Sequence, residues 1–329
     1  MGYERRRRRK YVSSSNEDGG VNANLPGFTA DYFDDCLDMF IRDRKAADRA
    51  EDTIRYYREQ LIYFRDAFEK AGVNTRLNRI THDDITEYFI EYSLNVRKIQ
   101  RSTLNTRLRA VRAFMNWAVQ RGIIEESPMK DIVISSTASS RIETYSREQL
   151  REMFRQPDLE TFVGLRDYTI MTLFLETGVR VRELVDIKIG DIRWEDSQII
   201  IGGKNREWRL VPFQARARRV LKRYLKARGE SFVDSLFITH DDGKMSRKAV
   251  QDRISKYGRM AGIDDVRNSP HTFRHTFAKM SVINGANLFD LQKILGHKTL
   301  EMVRVYVNLY STEVAESHRR FSPIENLHI

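Results

Sequence analysis

The chain has 329 residues, with 57 Lys and Arg against 46 Asp and Glu, giving a formal net charge of +11. That length suits about two domains, and an apolar fraction of 41% is enough to build their cores. There is no apolar run of about 18 residues, which excludes a helical membrane span, and a single cysteine, Cys36, excludes an internal disulfide and a Cys-rich zinc site.

Residues 1–26 read as a flexible tail. Residues 5–9 are all arginine and Lys10 follows; Ser, Asn and Gly come next, and nothing there can bury a core. The stretch lacks the apolar segment of a secretory signal, so a cytoplasmic, nucleoid-associated location is expected. The positive balance points to a polyanion, DNA or RNA; the tail is either a solvated leader or an arm for phosphates.

Residues 27–129 carry a helical pattern. Phe28, Tyr32, Cys36 and Phe40 recur every four residues, and Ile54, Tyr57, Leu61, Phe64 and Phe68 follow at alternating spacings of three and four. Thr81 caps a third predicted helix, with Ile85, Tyr88, Phe89 and Tyr92 on its apolar stripe. A fourth runs through Leu104, Leu108, Val111, Met115 and Ala118 and stops at Gly122. Four such helices make one all-α domain. Arg97, Lys98, Arg101, Arg107, Arg109 and Arg112 enrich its outer surface, which is expected to face DNA.

Residues 130–145, rich in Ser and Thr, read as a linker. Ser146 and Gln149 then form a capping box that opens a second domain, residues 146–312. It is predicted to be mostly helical, with β-like runs at 198–201 and 208–211 separated by Gly202-Gly203-Lys204-Asn205, a hairpin signal. Further helices are expected at 215–227, 246–261, 271–283, 288–295 and 300–309. Residues 313–329 form a C-terminal segment, too short to bury Val314, Phe321, Ile324 and Leu327 by itself.

Four local signatures lie in the second domain: Thr177-Gly178-Val179-Arg180-Val181-Arg182-Glu183-Leu184; Lys204 in the hairpin turn; His271-Thr272-Phe273-Arg274-His275; and Leu295-Gly296-His297, followed nine residues later by Tyr306. Singly, each has an ordinary explanation as a helix start, a turn or a core residue. Together they supply two guanidiniums, an ammonium, two imidazoles and a phenol. Two Arg forks hold the non-bridging oxygens of a phosphodiester and stabilise the charge of a pentacoordinate phosphorane. A tyrosine hydroxyl attacks phosphorus, a lysine protonates the leaving oxygen, and an imidazole exchanges a proton nearby. Bond energy is kept in the phosphotyrosine, so resealing needs no ATP and the set needs no metal or other cofactor.

In this order and spacing the stretch 146–310 resembles the catalytic domain of the tyrosine recombinase (phage integrase) family, and the helical region resembles its core-binding domain. The resemblance implies that Arg180 is the first catalytic arginine with Glu183 as its supporting acid. Lys204 would be the general acid, His271 and Arg274 the His-x-x-Arg pair, His297 a phosphate ligand and Tyr306 the nucleophile. His275 reads as a structural neighbour of that set. The implied fold is mainly α: a four-helix domain plus a mixed, mostly helical catalytic domain with a small antiparallel sheet, the two closing on duplex DNA as a C-shaped clamp. The implied activity is site-specific recombination through a 3′-phosphotyrosine and a Holliday junction, on inverted-repeat DNA, by a homotetramer whose C-terminal segments dock on neighbouring protomers. A type IB topoisomerase-like nicking-closing enzyme, a catalytically silent DNA-binding protein and a metal-dependent transposase remain alternatives.

Overall fold

The computed structural model describes residues 32–134, 142–202, 208–297 and 299–310. The basic tail, Phe28, Lys204 and the segment after Tyr310 lie outside the described residues. The chain divides into two compact units between Ser140 and Arg141. Buried Ile132 belongs to the first core and buried Tyr145 to the second, so both ends of the stretch read as a linker are packed.

The first unit contains α1 (Phe33–Ala46), α2 (Glu51–Lys70), α3 (His82–Asp84) and α4 (Arg101–Gln120). Its core is aromatic: Phe40 meets Tyr57, Phe114 and Trp117, and Phe64 meets Phe33, Phe68 and Phe89. The predicted cap is formed, with the Asp84 amide donating to Thr81 Oγ1 at 3.2 Å and the Thr81 amide to Asp84 Oδ2 at 2.9 Å. Beyond Asp84 the helix widens into a π-helix over Ile85–Val96, closed by the Arg97 amide donating to the Tyr92 carbonyl at 3.0 Å. The widening explains why Ile85, Phe89 and Ser93, four residues apart, are its buried positions, while Tyr88 and Tyr92 sit at the margin of the core.

Of the six cations read as a DNA-facing surface, Arg97, Lys98, Arg101 and Arg109 are exposed. The other two are occupied within the unit. The Arg107 guanidinium lies 3.3 Å from the centroid of the Tyr63 ring, and Arg112 Nη2 donates to the Ile132 carbonyl. Both flank the buried Leu108 and Val111, so their aliphatic stems cover core surface.

The second unit holds α5 (Arg147–Arg155), α6 (Phe162–Thr177), α7 (Val181–Asp186), β1 (Ile192–Arg193), β2 (Gln198–Gly202) and β3 (Trp208–Pro212). Then follow α8 (Ala215–Arg228), α9 (Arg247–Met260), α10 (Pro270–Ile283), α11 (Leu288–Leu295) and α12 (Glu301–Tyr310). Helix α6 is buried nearly all round and packs on α8 and α10. Its buried Asp167 accepts from Arg166 at 2.9 Å, from Tyr257 at 3.0 Å and from Arg253. The sheet is antiparallel in the order β1-β2-β3, with Ile199 opposite Val211 and Ile201 opposite Arg209. Ile199, Ile201 and Val211 point into the core, so strand alternation sends Arg209 inward and leaves Trp208 and Leu210 exposed. A separate apolar cluster of Ala278, Leu291, Leu295, Val303 and Tyr306 fastens α12 onto α10 and α11.

Candidate active site

The arginine box is a helix break. Helix α6 ends at Thr177, Gly178 takes a left-handed φ of 59°, and Arg180 becomes the N-cap residue of α7. Glu183, three residues on, reaches back to the Arg180 amide at 2.8 Å, as an acidic residue at that position can. The same carboxylate receives Arg180 Nη1 at 3.0 Å and both terminal nitrogens of Arg209, at 3.0 and 2.8 Å. Burial alone would raise the Glu183 pKa. The bidentate Arg209, then the Arg180 amide and charge, overcome it and hold the carboxyl below its ordinary range.

The C-terminal end of α11 organises the guanidiniums. A helix leaves its last carbonyls without intrahelical donors, and they carry the negative end of its dipole. Here the Ile294 carbonyl accepts from Arg209 Nε at 2.8 Å. The Leu295 carbonyl accepts from Arg274 Nη2 at 2.8 Å and from Arg180 Nη1 at 3.4 Å. Gly296 then turns left-handed, with φ 63°, and His297 follows with its carbonyl held by Gln292 Nε2 at 3.0 Å.

Arg274 is buried, with 5% of its surface exposed. Besides Leu295 it donates to the Gly178 carbonyl at 2.6 Å and meets His297 Nε2 at 2.7 Å. Burial first, and then the charge of Arg180, lower its pKa to about 10, so it stays a cation at neutral pH. Burial, followed by Arg274, Arg180 and Arg209, drives His297 down to about 4. Its ring is therefore neutral and accepts from Arg274 through Nε2, which leaves the buried Nδ1 with no hydrogen-bond partner among the described residues. Arg180 is the accessible guanidinium, its side chain 38% exposed.

Helix α10 is started by Ser269, whose Oγ accepts the Thr272 amide at 3.2 Å, and by Pro270 in the first turn. His271, Arg274 and His275 then fall on one helical face. His271 is exposed in the first turn; the packing around its ring and the charges of Arg274, Arg267 and Arg180 keep it neutral. His275 is half-buried, and its Nδ1 lies 2.7 Å from Tyr306 Oη. Tyr306 is 4% exposed, held in α12 beside Val303.

Thus Arg180, Glu183, Arg274 and His297 come together in one hydrogen-bonded group. Tyr306 is paired with His275, the residue after Arg274, His271 stands one turn away on α10, and Lys204 lies outside the described residues. Two further side chains contact these residues, Arg209 at Glu183 and His275 at Tyr306. Arg209 was legible as a charge on an inward strand position, two residues from buried Val211. His275 was read as structural, yet it sits four residues after His271, on the face that meets α12. Among the described residues no group of three or more His, Cys, Asp or Glu side chains is placed to hold a metal ion, and no helix is long and apolar enough to cross a membrane.

Gly296→Ala tests the bracing. A left-handed alanine costs about 1–2 kcal/mol. Its Cβ would also lie 2.9 Å from Arg209 Nη1, a side chain already tied to Glu183 and Ile294. Gly262→Ala carries only the first cost, because its φ of 68° faces open space. Thermal melting should show the larger loss at Gly296, with slower DNA chemistry at that position alone; equal losses would leave Arg209 without a bracing role.

Residues 143–313 match the phage integrase family, and residues 38–122 match the phage integrase N-terminal SAM-like domain. The tyrosine recombinase XerD of Ralstonia nicotianae is 30% identical over 283 residues, spanning 83% of this chain and 89% of the relative. The tyrosine recombinase XerC of Oceanobacillus iheyensis is 26% identical over 281 residues, spanning 83% and 91%. Among solved structures, XerH site-specific recombinase bound to a palindromic difH substrate superposes with a TM-score of 0.68 at 20% identity, over 87% of this chain and 84% of that one. A lambda integrase dimer bound to a COC′ core site gives 0.66 at 16% identity, over 81% and 95%. With its catalytic half matched from end to end, and a relative this similar across nearly its whole length, the chain belongs to the phage integrase family of tyrosine recombinases.

Proposed function

We propose that this protein is a site-specific DNA recombinase that cuts and rejoins duplex DNA through a phosphotyrosine. The observation that carries the reading is a cluster of three guanidiniums, Arg180 and Arg209 on the Glu183 carboxylate and Arg274 beside them on the Leu295 carbonyl, with the Tyr306 hydroxyl held on α12 against His275, the residue after Arg274. Such a centre keeps net positive charge in a partly dry setting, where it favours a phosphate and, still more, the extra charge of its phosphorane.

In this reading Arg180, the more exposed fork, receives a non-bridging oxygen as the DNA arrives. Arg274 contributes charge from behind while its geometry is held by two carbonyls. His297 supplies its unpartnered Nδ1–H to the same phosphate, and His271 approaches from the open side of α10. Tyr306 attacks phosphorus, and Lys204 protonates the leaving 5′ oxygen. Arg97, Lys98, Arg101 and Arg109 are the exposed cations left to the DNA backbone by the first unit. Four protomers on an inverted-repeat site would exchange strands pairwise through a Holliday junction. The tyrosine recombinase names of the relatives, spread over both domains, favour this over a nicking-closing enzyme that acts alone.

A duplex carrying one nick near the scissile phosphate releases a short strand on cleavage and traps the intermediate. Wild-type protein should form an SDS-resistant adduct on it, in EDTA and without ATP. A protein that binds the duplex yet never forms the adduct is a silent binder, and the reading fails.

A further inference from the structure

We propose that His275 is a catalytic residue that takes the proton from Tyr306 as the phenol attacks phosphorus, and returns it when the strand is resealed. The inference rests on Tyr306 being the nucleophile. The placement is direct: His275 Nδ1 and Tyr306 Oη are 2.7 Å apart, with ring centroids 5.7 Å apart and tilted by 45°. That is within reach for proton transfer along an existing hydrogen bond. His271, one turn earlier, is exposed.

The need for such a group is plain. A phenol titrates near 10, so only about one in a thousand is ionised at neutral pH. An imidazole accepts the proton at neutral pH only if it is itself unprotonated. Three cationic or ionisable groups face His275 besides the phenol: His271 and Arg274 from α10, and His297 from the loop after α11. Burial, then His271 and Arg274, lower its pKa, so the ring enters the reaction neutral. With the ring proton on Nε2, the Nδ1 lone pair faces the phenol, and the phenol donates.

The step balances without any further reactant. The Tyr306 O–H bond breaks and its proton moves to Nδ1. The oxygen's electron pair forms the bond to phosphorus, and the phosphorus–5′-oxygen bond breaks. That oxygen keeps the pair and takes a proton from the general acid. On resealing, the 5′ hydroxyl gives its proton back to the general acid as its oxygen attacks the phosphotyrosine, the phosphorus–phenol oxygen bond breaks, and the imidazolium returns its proton to the departing phenolate. The same neighbours that disfavour the imidazolium make this return favourable. Position supports both directions, because Arg274, the adjacent residue, is anchored to the Gly178 and Leu295 carbonyls and fixes this part of α10.

His275→Asn is the informative variant: its amide oxygen can accept the phenol hydrogen bond but cannot take the proton. Adduct formation is measured in single turnover on nicked DNA with sulfur at the scissile bridging position, a leaving group that needs no general acid. At neutral pH the rate should fall about 10²- to 10⁴-fold. It should then climb tenfold per pH unit towards the phenol's own titration, while the wild-type rate stays flat. A neutral rate within a few-fold of wild type, or a loss with an unchanged pH profile, overturns the inference. If the variant melts early, the wild-type protein decides instead. Nitrogen-15 shifts of its histidines should show a neutral ring with the proton on Nε2 whose Nδ1 signal alone moves in Tyr306→Phe; a ring protonated on Nδ1 overturns it. A surviving adduct in Tyr306→Phe would instead remove the nucleophile reading, so the two failures are distinguishable.

Discussion

Tyr306→Phe should lose covalent adduct formation by about 10⁴-fold or more, because the substitution deletes the attacking atom. The ring itself should stay in place. It packs with Ala278, Leu291, Leu295 and Val303, and all of those contacts are apolar. The fold loses the hydrogen bond to His275, worth about 0.5–1.5 kcal/mol. The chemistry is therefore expected to vanish while the melting temperature moves by a few degrees at most. DNA affinity should hold, since the phosphate-binding guanidiniums are untouched. The assay is the SDS-resistant adduct on nicked duplex, with a gel shift beside it. A variant that still becomes covalently attached would assign the nucleophile to another residue.

Most of the fold was legible because its signals are local. The 3.6-residue spacing of apolar side chains marked α1, α2, α4 and α8 through α12. Ser146 and Thr81 announced helix starts through short-range capping, and both caps are formed. The π-helix at Ile85–Val96 was not legible. Its first apolar residues fit either periodicity, and the choice is made by how Phe89 packs against Tyr63 and Phe64 from α2. Helix α7 was also missed, since six residues are too few to show a period and its start depends on the Glu183 carboxylate folding back.

The site divides along the same line. Arg180, Glu183, His271, Arg274, His297 and Tyr306 carry recognisable spacing within their own segments. What sequence could not convey is the joinery between segments. Arg209 lies 26 residues from Glu183 and 85 from Ile294, and binds both. His275 lies 31 residues from Tyr306. Neither relation has a local signature beyond strand alternation in one case and the face of α10 in the other. Arg107 and Arg112 show the same limit: composition marked them as surface cations, and only tertiary packing sets one over Tyr63 and the other against Ile132.

Arg274→Ala should cost about 10²–10³ in cleavage rate, the range for losing a preorganised donor to a developing oxyanion. It should also cost stability, for a reason specific to this arrangement. The side chain is a buried three-way tie among the Gly178 carbonyl, the Leu295 carbonyl and His297. Leu295 keeps a longer bond from Arg180, but Gly178 is left without this donor, at about 1–3 kcal/mol for a buried unpaired group. Lysine cannot substitute, because one ammonium cannot span these partners in a plane. A second readout separates a lost charge from a simple loss of packing. His297 is depressed from 6.5 to about 4 by burial, and next by the Arg274 charge. The unfolded chain therefore binds a proton that the folded one resists, and wild-type stability should decline as pH falls from 6.5 towards 4. Without Arg274 the His297 pKa rises towards its ordinary value, so that acid-side decline should shrink. Melting temperatures of both proteins across this range give the comparison; parallel curves would show that Arg274 does not set the charge state of His297.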